Sequence, residues 1–156
     1  MNLNEFNSLV DLYFYQEKKQ DSKSDFLEWL NPKNKKKFTW GETSSNIYKL
    51  ANKLKENIKD GDRCLLISEN RPEWLISDIA IMLAGGITVP AYTTYTEKDY
   101  KYLIEDCRSS VIIVSNDEMH NKLKNTIKEK DFIKKVITLE KIQGADYKNK
   151  YLDFNS

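Results

Sequence analysis

Chemistry in a protein chain needs nucleophiles, bases, metal ligands or phosphate cradles at usable spacing, and this sequence offers few. Its one histidine, His120, stands in a lysine-rich stretch with Asp117 and Glu118 close by. That setting reads as a solvated surface histidine rather than a catalytic base. With a single histidine, a metal site would need converging carboxylates, and none is visible beside it. Cys64 falls in an apolar run and Cys107 on an apolar helical stripe, so both read as small core residues. Two cysteines exclude a disulfide framework and a multi-cysteine zinc site. Backbone N–H groups that cradle phosphate want a glycine-rich loop ahead of a helix. The glycine pair Gly85-Gly86 follows a helix-like stretch instead, and GxGxxG, Walker A and nucleophile-elbow patterns are absent. Residue types and spacing therefore assign no catalytic, cofactor-binding or metal-binding residue, and they single out no substrate-binding residue.

The run Lys33-Asn34-Lys35-Lys36-Lys37 would attract an anionic membrane or nucleic acid, but it reads as a solvated hairpin loop. Trp29, Trp40 and Trp74 read as packing residues rather than a stacking platform. Across 156 residues, 25 basic and 24 acidic side chains leave a formal net charge of +1, which argues against a nucleic-acid partner. The 40% hydrophobic content excludes an acidic disordered chain. The length suits one domain that buries roughly two-thirds of its unfolded surface. The start, Met1-Asn2-Leu3-Asn4-Glu5, shows no secretory signal. Residues 79–96 carry no charge, yet Gly85-Gly86, Pro90 and four threonines interrupt them, so a membrane span is not expected. The expected location is cytoplasmic, with both thiols reduced.

The elements that would position any site follow from periodicity. Residues 4–18 read as a helix, and residues 25–30 and 37–40 as two short strands about a turn at 31–34. Thr39 and Glu42 have the form of a capping box. The helix it opens runs to about residue 57, with Ile47, Leu50, Ala51, Leu54 and Ile58 on one stripe, and Asp60-Gly61-Asp62 turns the chain. Residues 63–68, 87–92, 110–115 and 135–139 read as buried strands. Between them lie helices at about 72–84, capped by Asn70 with Pro72 in the first turn; one capped by Thr96; and one at 117–129. Gly85 or Gly86 is expected as the left-handed cap of the first of these. The alternation predicts an α/β fold with a parallel sheet and helices on both faces, preceded by a helix and a short hairpin. Residues 140–156 show no convincing period.

Residues 61–95 are the distinctive stretch. Ser68-Glu69-Asn70-Arg71-Pro72-Glu73-Trp74 and Val89-Pro90-Ala91-Tyr92, with Phe38-Thr39-Trp40-Gly41-Glu42 and Gly61-Asp62, closely resemble the N-terminal region of long-chain fatty-acid–CoA ligases. These are acyl-CoA synthetases of the AMP-binding, adenylate-forming superfamily. The resemblance implies that the whole enzyme converts a fatty acid, ATP and CoA to acyl-CoA, AMP and pyrophosphate, with magnesium at the phosphates. It implies no cofactor for this chain by itself. The family's phosphate loop, Tyr-Thr-Ser-Gly-Thr-Thr-Gly-x-Pro-Lys-Gly, has no counterpart here, nor have the later nucleotide motifs or the catalytic lysine of the C-terminal domain. No family catalytic residue can be carried onto this sequence.

The resemblance spans about residues 36–140, so 1–156 is expected to be an incomplete N-terminal part of an AMP-binding domain with an irregular tail over 141–156. The implied partner is the missing remainder of the ligase, with fatty acid and CoA bound only by the whole enzyme. The resemblance also allows peripheral membrane association of the parent. The chain alone is expected not to adenylate, and to expose apolar faces and sheet edges that make it marginal in isolation. The alternative is a standalone, non-catalytic interaction or regulatory module derived from the same scaffold.

Overall fold

Thr39 sets where the fold begins to close. Its hydroxyl accepts from the Glu42 N–H at 3.2 Å, and Glu42 Oε2 accepts from the Thr39 N–H at 2.9 Å. This reciprocal bond starts helix α2, Trp40–Lys55, where the sequence predicts it. Ahead of it lie helix α1, Leu9–Glu17, and an antiparallel hairpin of β1, Asp25–Trp29, and β2, Lys36–Thr39. The structure, a computed structural model, describes residues 6–31, 35–147 and 149–155. Three residues of the expected hairpin turn, 32–34, lie outside the described residues.

The rest of the chain alternates: β3 Arg63–Ile67, α3 Pro72–Leu83, β4 Ile87–Ala91, α4 Glu97–Cys107, β5 Val111–Val114, α5 Asp117–Asn121, α6 Lys124–Glu129, β6 Lys135–Thr138 and β7 Tyr151–Asp153. The five strands form one parallel sheet in the order β4-β3-β5-β6-β7. Side chains alternate across a strand, and both faces here are covered, so β3 and β5 are apolar at successive positions. Cys64, Leu66, Val111 and Ile113 pack with Ile47, Leu50 and Leu54 of α2 and Ile76 and Ala80 of α3. Leu65, Ile67, Ile112 and Val114 pack on the other face with Tyr100 and Ile104 of α4, Met119 of α5 and Ile127 of α6. The stripe predicted for α2 is buried along its length, Ile58 included.

Turn chemistry agrees with the sequence at both predicted glycines. Gly61 has φ +80 in the turn before β3, and Gly85 has φ +88 just past α3. A Cβ at Gly85 would also run into the Asp60 carboxylate. Pro90 lies within β4, which is an edge strand and needs no ladder donor on its outer side. Beside it Ile87 is 52% exposed and Tyr92 72%. Among the described residues, no helix is long and apolar enough to cross a membrane.

Three expectations need correction. Asn70 does not cap α3. The cap is Arg71, in extended conformation and without a side-chain cap bond, because a guanidinium has donors only. The helix expected at 117–129 is two helices, since the Leu123 N–H reaches back only three residues to the His120 carbonyl at 2.9 Å and tightens the chain there. The stretch beyond residue 140 is not wholly irregular, because Tyr151–Asp153 adds a fifth strand beside β6.

Candidate functional site

In an open parallel sheet, the carboxyl ends of the strands are where loops diverge and crevices form. β3 lies between β4 and β5, and its outgoing loop leads to α3 on one face while that of β5 leads to α5 on the other. The two loops are tied across this divergence: Asn116 Nδ2 donates to Glu69 Oε1 at 2.9 Å, while Asn116 Oδ1 caps α5 through the Met119 N–H. Beside this tie, at the ends of β3 and β4, opens a cleft of about 560 Å³. Ser68, Glu69, Asn70 and the indole of Trp74 line one side, and residues 90–93 line the other.

Each wall has its own anchor. The β4 side is held by Tyr100, fully buried on α4, whose hydroxyl donates to the Tyr92 carbonyl at 2.6 Å. Burial first, and then the nearby Glu69 carboxylate, push the Tyr100 phenol up to about 12, so it stays a donor. Lys122 Nζ donates to the Thr93 carbonyl at 2.9 Å. The β3 side is held by an ion cluster. Arg71 Nε donates to Glu73 Oε2 at 2.9 Å, Arg71 Nη1 to Glu140 Oε1 at 2.6 Å, and Lys36 Nζ to Glu73 Oε1 at 2.6 Å. The Arg71 guanidinium also lies 4.5 Å from the centre of the Trp29 ring. The cluster joins the hairpin, the start of α3 and the chain after β6 at one point. Burial alone would raise the Glu73 carboxyl, but the bonds from Arg71 and Lys36 hold it below the ordinary carboxylate range.

The cleft offers hydrogen-bond acceptors, a carboxylate and an aromatic wall. It holds no nucleophile paired with a base. The residues weighed from the sequence stay apart from it. Cys64 is buried in β3, its thiol pushed up to about 12 by burial and then by Asp62, which suits a core residue and not a nucleophile. Cys107 is half-buried rather than core, its thiol donating to the Leu103 carbonyl at 2.8 Å. His120 is not freely solvated as the lysine-rich stretch implies. It is half-buried, with Nε2 2.7 Å from the Tyr151 hydroxyl. Of the lysine run, Lys36 pairs with Glu73 and Lys37 with Asp25, while Lys33 and Asn34 lie outside the described residues. Trp40 stacks on Phe26 at 3.7 Å between ring centroids, as a packing residue should, whereas Trp74 faces the cleft.

Among the described residues, no three His, Cys, Asp or Glu side chains gather to hold a metal. Of the arginines, Arg71 is committed to Glu73 and Glu140, Arg63 to the Cys107 and Gly61 carbonyls, and Arg108 to the face of Phe132. Sequence reasoning missed Glu73 and Glu140 altogether, and their only signal was Glu73's place inside the distinctive 68–74 stretch.

Comparison with known proteins gives this geometry a family. The family profile described as "AMP-binding enzyme" matches residues 15–153. The human mitochondrial acyl-coenzyme A synthetase ACSM3 is 29% identical over 112 residues, covering 69% of this chain and 19% of that protein. The rat long-chain-fatty-acid–CoA ligase ACSBG1 is 28% identical over 123 residues, covering 75% of this chain and 17% of that protein. This chain therefore spans less than a fifth of those relatives. The fold matches the crystal structure of the anthranilate CoA ligase AuaEII in complex with anthranoyl-AMP with a TM-score of 0.82. That match has 21% identity and covers 99% of this chain and 29% of that one. Coronafacic acid ligase from Pectobacterium brasiliense matches with a TM-score of 0.77 at 22% identity over 91% of this chain and 28% of that one. With the profile running over residues 15–153, the chain belongs to the AMP-binding enzyme family.

Proposed function

We propose that this chain works as part of a long-chain fatty-acid–CoA ligase, supplying a scaffold sheet while the adenylation chemistry resides in the remainder. One observation carries the reading. The segments on which the long-chain resemblance rests, 68–74 and 89–92, are the segments that wall the cleft and hold its ion cluster. The rat long-chain ligase supports the acyl class, being similar over 75% of this chain. On this reading the partner of the chain is the rest of the ligase, and fatty acid, ATP and CoA are bound by the whole. Peripheral attachment to a membrane and a cytoplasmic location belong to the same proposal.

The test is a substrate panel on the longer protein that contains this segment, with pyrophosphate release as the readout. Palmitate should exceed butyrate and anthranilate in kcat/KM by more than about tenfold, since several buried methylenes separate them. A preference for the short or aryl acid would overturn the long-chain reading and leave the family intact.

A further inference from the structure

The edge strand β7 pairs with β6 at only three register positions, Val136 with Tyr151, Ile137 with Leu152 and Thr138 with Asp153. Side chains do much of the holding. The Tyr147 hydroxyl is 2.8 Å from Thr138 Oγ1 and accepts from the Ile142 N–H at 2.8 Å. Lys150 Nζ donates to the Ile127 carbonyl at 2.7 Å, and Phe154 is buried beyond the strand. Lys53 Nζ on α2 donates to the Asp153 carbonyl at 3.2 Å, and His120 on α5 adds a further tie, its Nε2 2.7 Å from the Tyr151 hydroxyl with the two rings edge to face at 5.5 Å. Among these ties of the described residues, His120 is the one whose ordinary titration falls between pH 5 and 8.

We propose that the His120–Tyr151 pair is a proton-operated latch on β7, closed while the imidazole is neutral and loosened when it takes up a proton. A neutral imidazole has one donor and one acceptor nitrogen, so it can exchange a hydrogen bond with a phenol in either sense. An imidazolium has donors only. It can still donate to the Tyr151 oxygen but no longer accept from its hydroxyl, and the full charge it places in a half-buried position is what loosens the strand. Asp117, on the same helix, favours that charge, whereas Lys124 and Lys128 on α6 oppose it. From β7 the ring meets the neutral phenol of Tyr151, with Tyr147 behind it at 6.2 Å between centroids.

Burial first, with the two lysines behind it, therefore keeps the imidazole below its ordinary value of 6.5. The opened strand, with a free imidazole, binds the proton first. Opening thus becomes easier as pH falls through about 6.5, and the effect levels off below the depressed value of the closed form. The latch does not depend on the ligase reading.

The experiment is amide hydrogen exchange of the chain at pH 7.5 and 5.5, corrected for intrinsic rates. The reporters are the Phe154 N–H, bonded to the Thr138 carbonyl at 3.0 Å, and the Val136 N–H, bonded to the Lys150 carbonyl at 2.9 Å. Their protection should fall at the lower pH, by up to about tenfold, the limit set by one proton over one pH unit. His120→Gln keeps a hydrogen-bonding side chain that does not titrate and should abolish the step. Equal protection at both pH values in the parent chain, or the same step in His120→Gln, would overturn the proposal. Should that variant not fold, NMR titration of His120 in the parent chain decides: a pKa below 6.5 supports the latch, and one at or above 6.5 overturns it.

Discussion

Glu73→Ala is expected to lower folding stability by about 3–5 kcal/mol, as removal of one partner from a buried ion pair does. The side chains of Arg71 and Glu73 are 5% and 1% exposed. Without the carboxylate, the guanidinium keeps only the half-exposed Glu140 and the face of Trp29. Lys36 loses its partner too, but its side chain is 42% exposed and water can replace the bond. The urea midpoint should drop sharply with the slope unchanged. Arg71→Met combined with Glu73→Leu should recover most of the loss, because the cost lies in the orphaned charge. A loss in Glu73→Ala below about 1 kcal/mol would place the pair among ordinary surface bridges and contradict the burial described here.

The same carboxylate has a pH signature. Its folded pKa lies below its ordinary value of 4.5, so its contribution is full above that value and is lost as pH falls through the folded one. Acid unfolding of the parent chain should steepen below about pH 4.5, and the double variant should lack that component.

Tyr100→Ala is expected to cost about 3–5 kcal/mol, in the range of large aromatic truncations in a closed core. Tyr100 is fully buried between α4 and the sheet, against Ile104, Met119 and Val114. Tyr100→Phe separates packing from the bond. It keeps the ring, loses the 2.6 Å bond to the Tyr92 carbonyl, and should cost about 1 kcal/mol. Its local effect is larger than its global one: the Tyr95 N–H, bonded to that same carbonyl at 3.2 Å, should lose exchange protection as the cleft wall loosens. Unchanged protection at Tyr95 in Tyr100→Phe would show that the wall is held by something other than this hydroxyl.

Much of the framework was legible because its signals are local. Thr39 with Glu42, and Thr96 with Asp99, close their caps within four residues. The apolar runs of β3 and β5 announce a sheet covered on both faces. What escaped was non-local. β7 has three residues and no period, and Tyr147 and Tyr151 hold it through partners on β6 and α5. Glu73 looks like an ordinary first-turn acid until Arg71 and Lys36 are seen to converge on it. Asn70 looked like a cap by residue type, although the helix opens one residue later, with Arg71 at the cap position. His120 looked solvated because its own stretch is charged, while its partner lies 31 residues further along the chain. The cleft was not visible in the sequence, since no residue pattern marks a site built from acceptors, one indole and two loop ends.

On the proposed reading, this chain supplies the scaffold of an acyl-CoA ligase while the adenylation chemistry lies in the remainder. Fatty-acid-stimulated ATP–pyrophosphate exchange with the purified chain tests it most directly. No exchange above the blank is expected with palmitate and magnesium present. Exchange that depends on palmitate and rises with the concentration of the chain would contradict it and place adenylation chemistry within these residues.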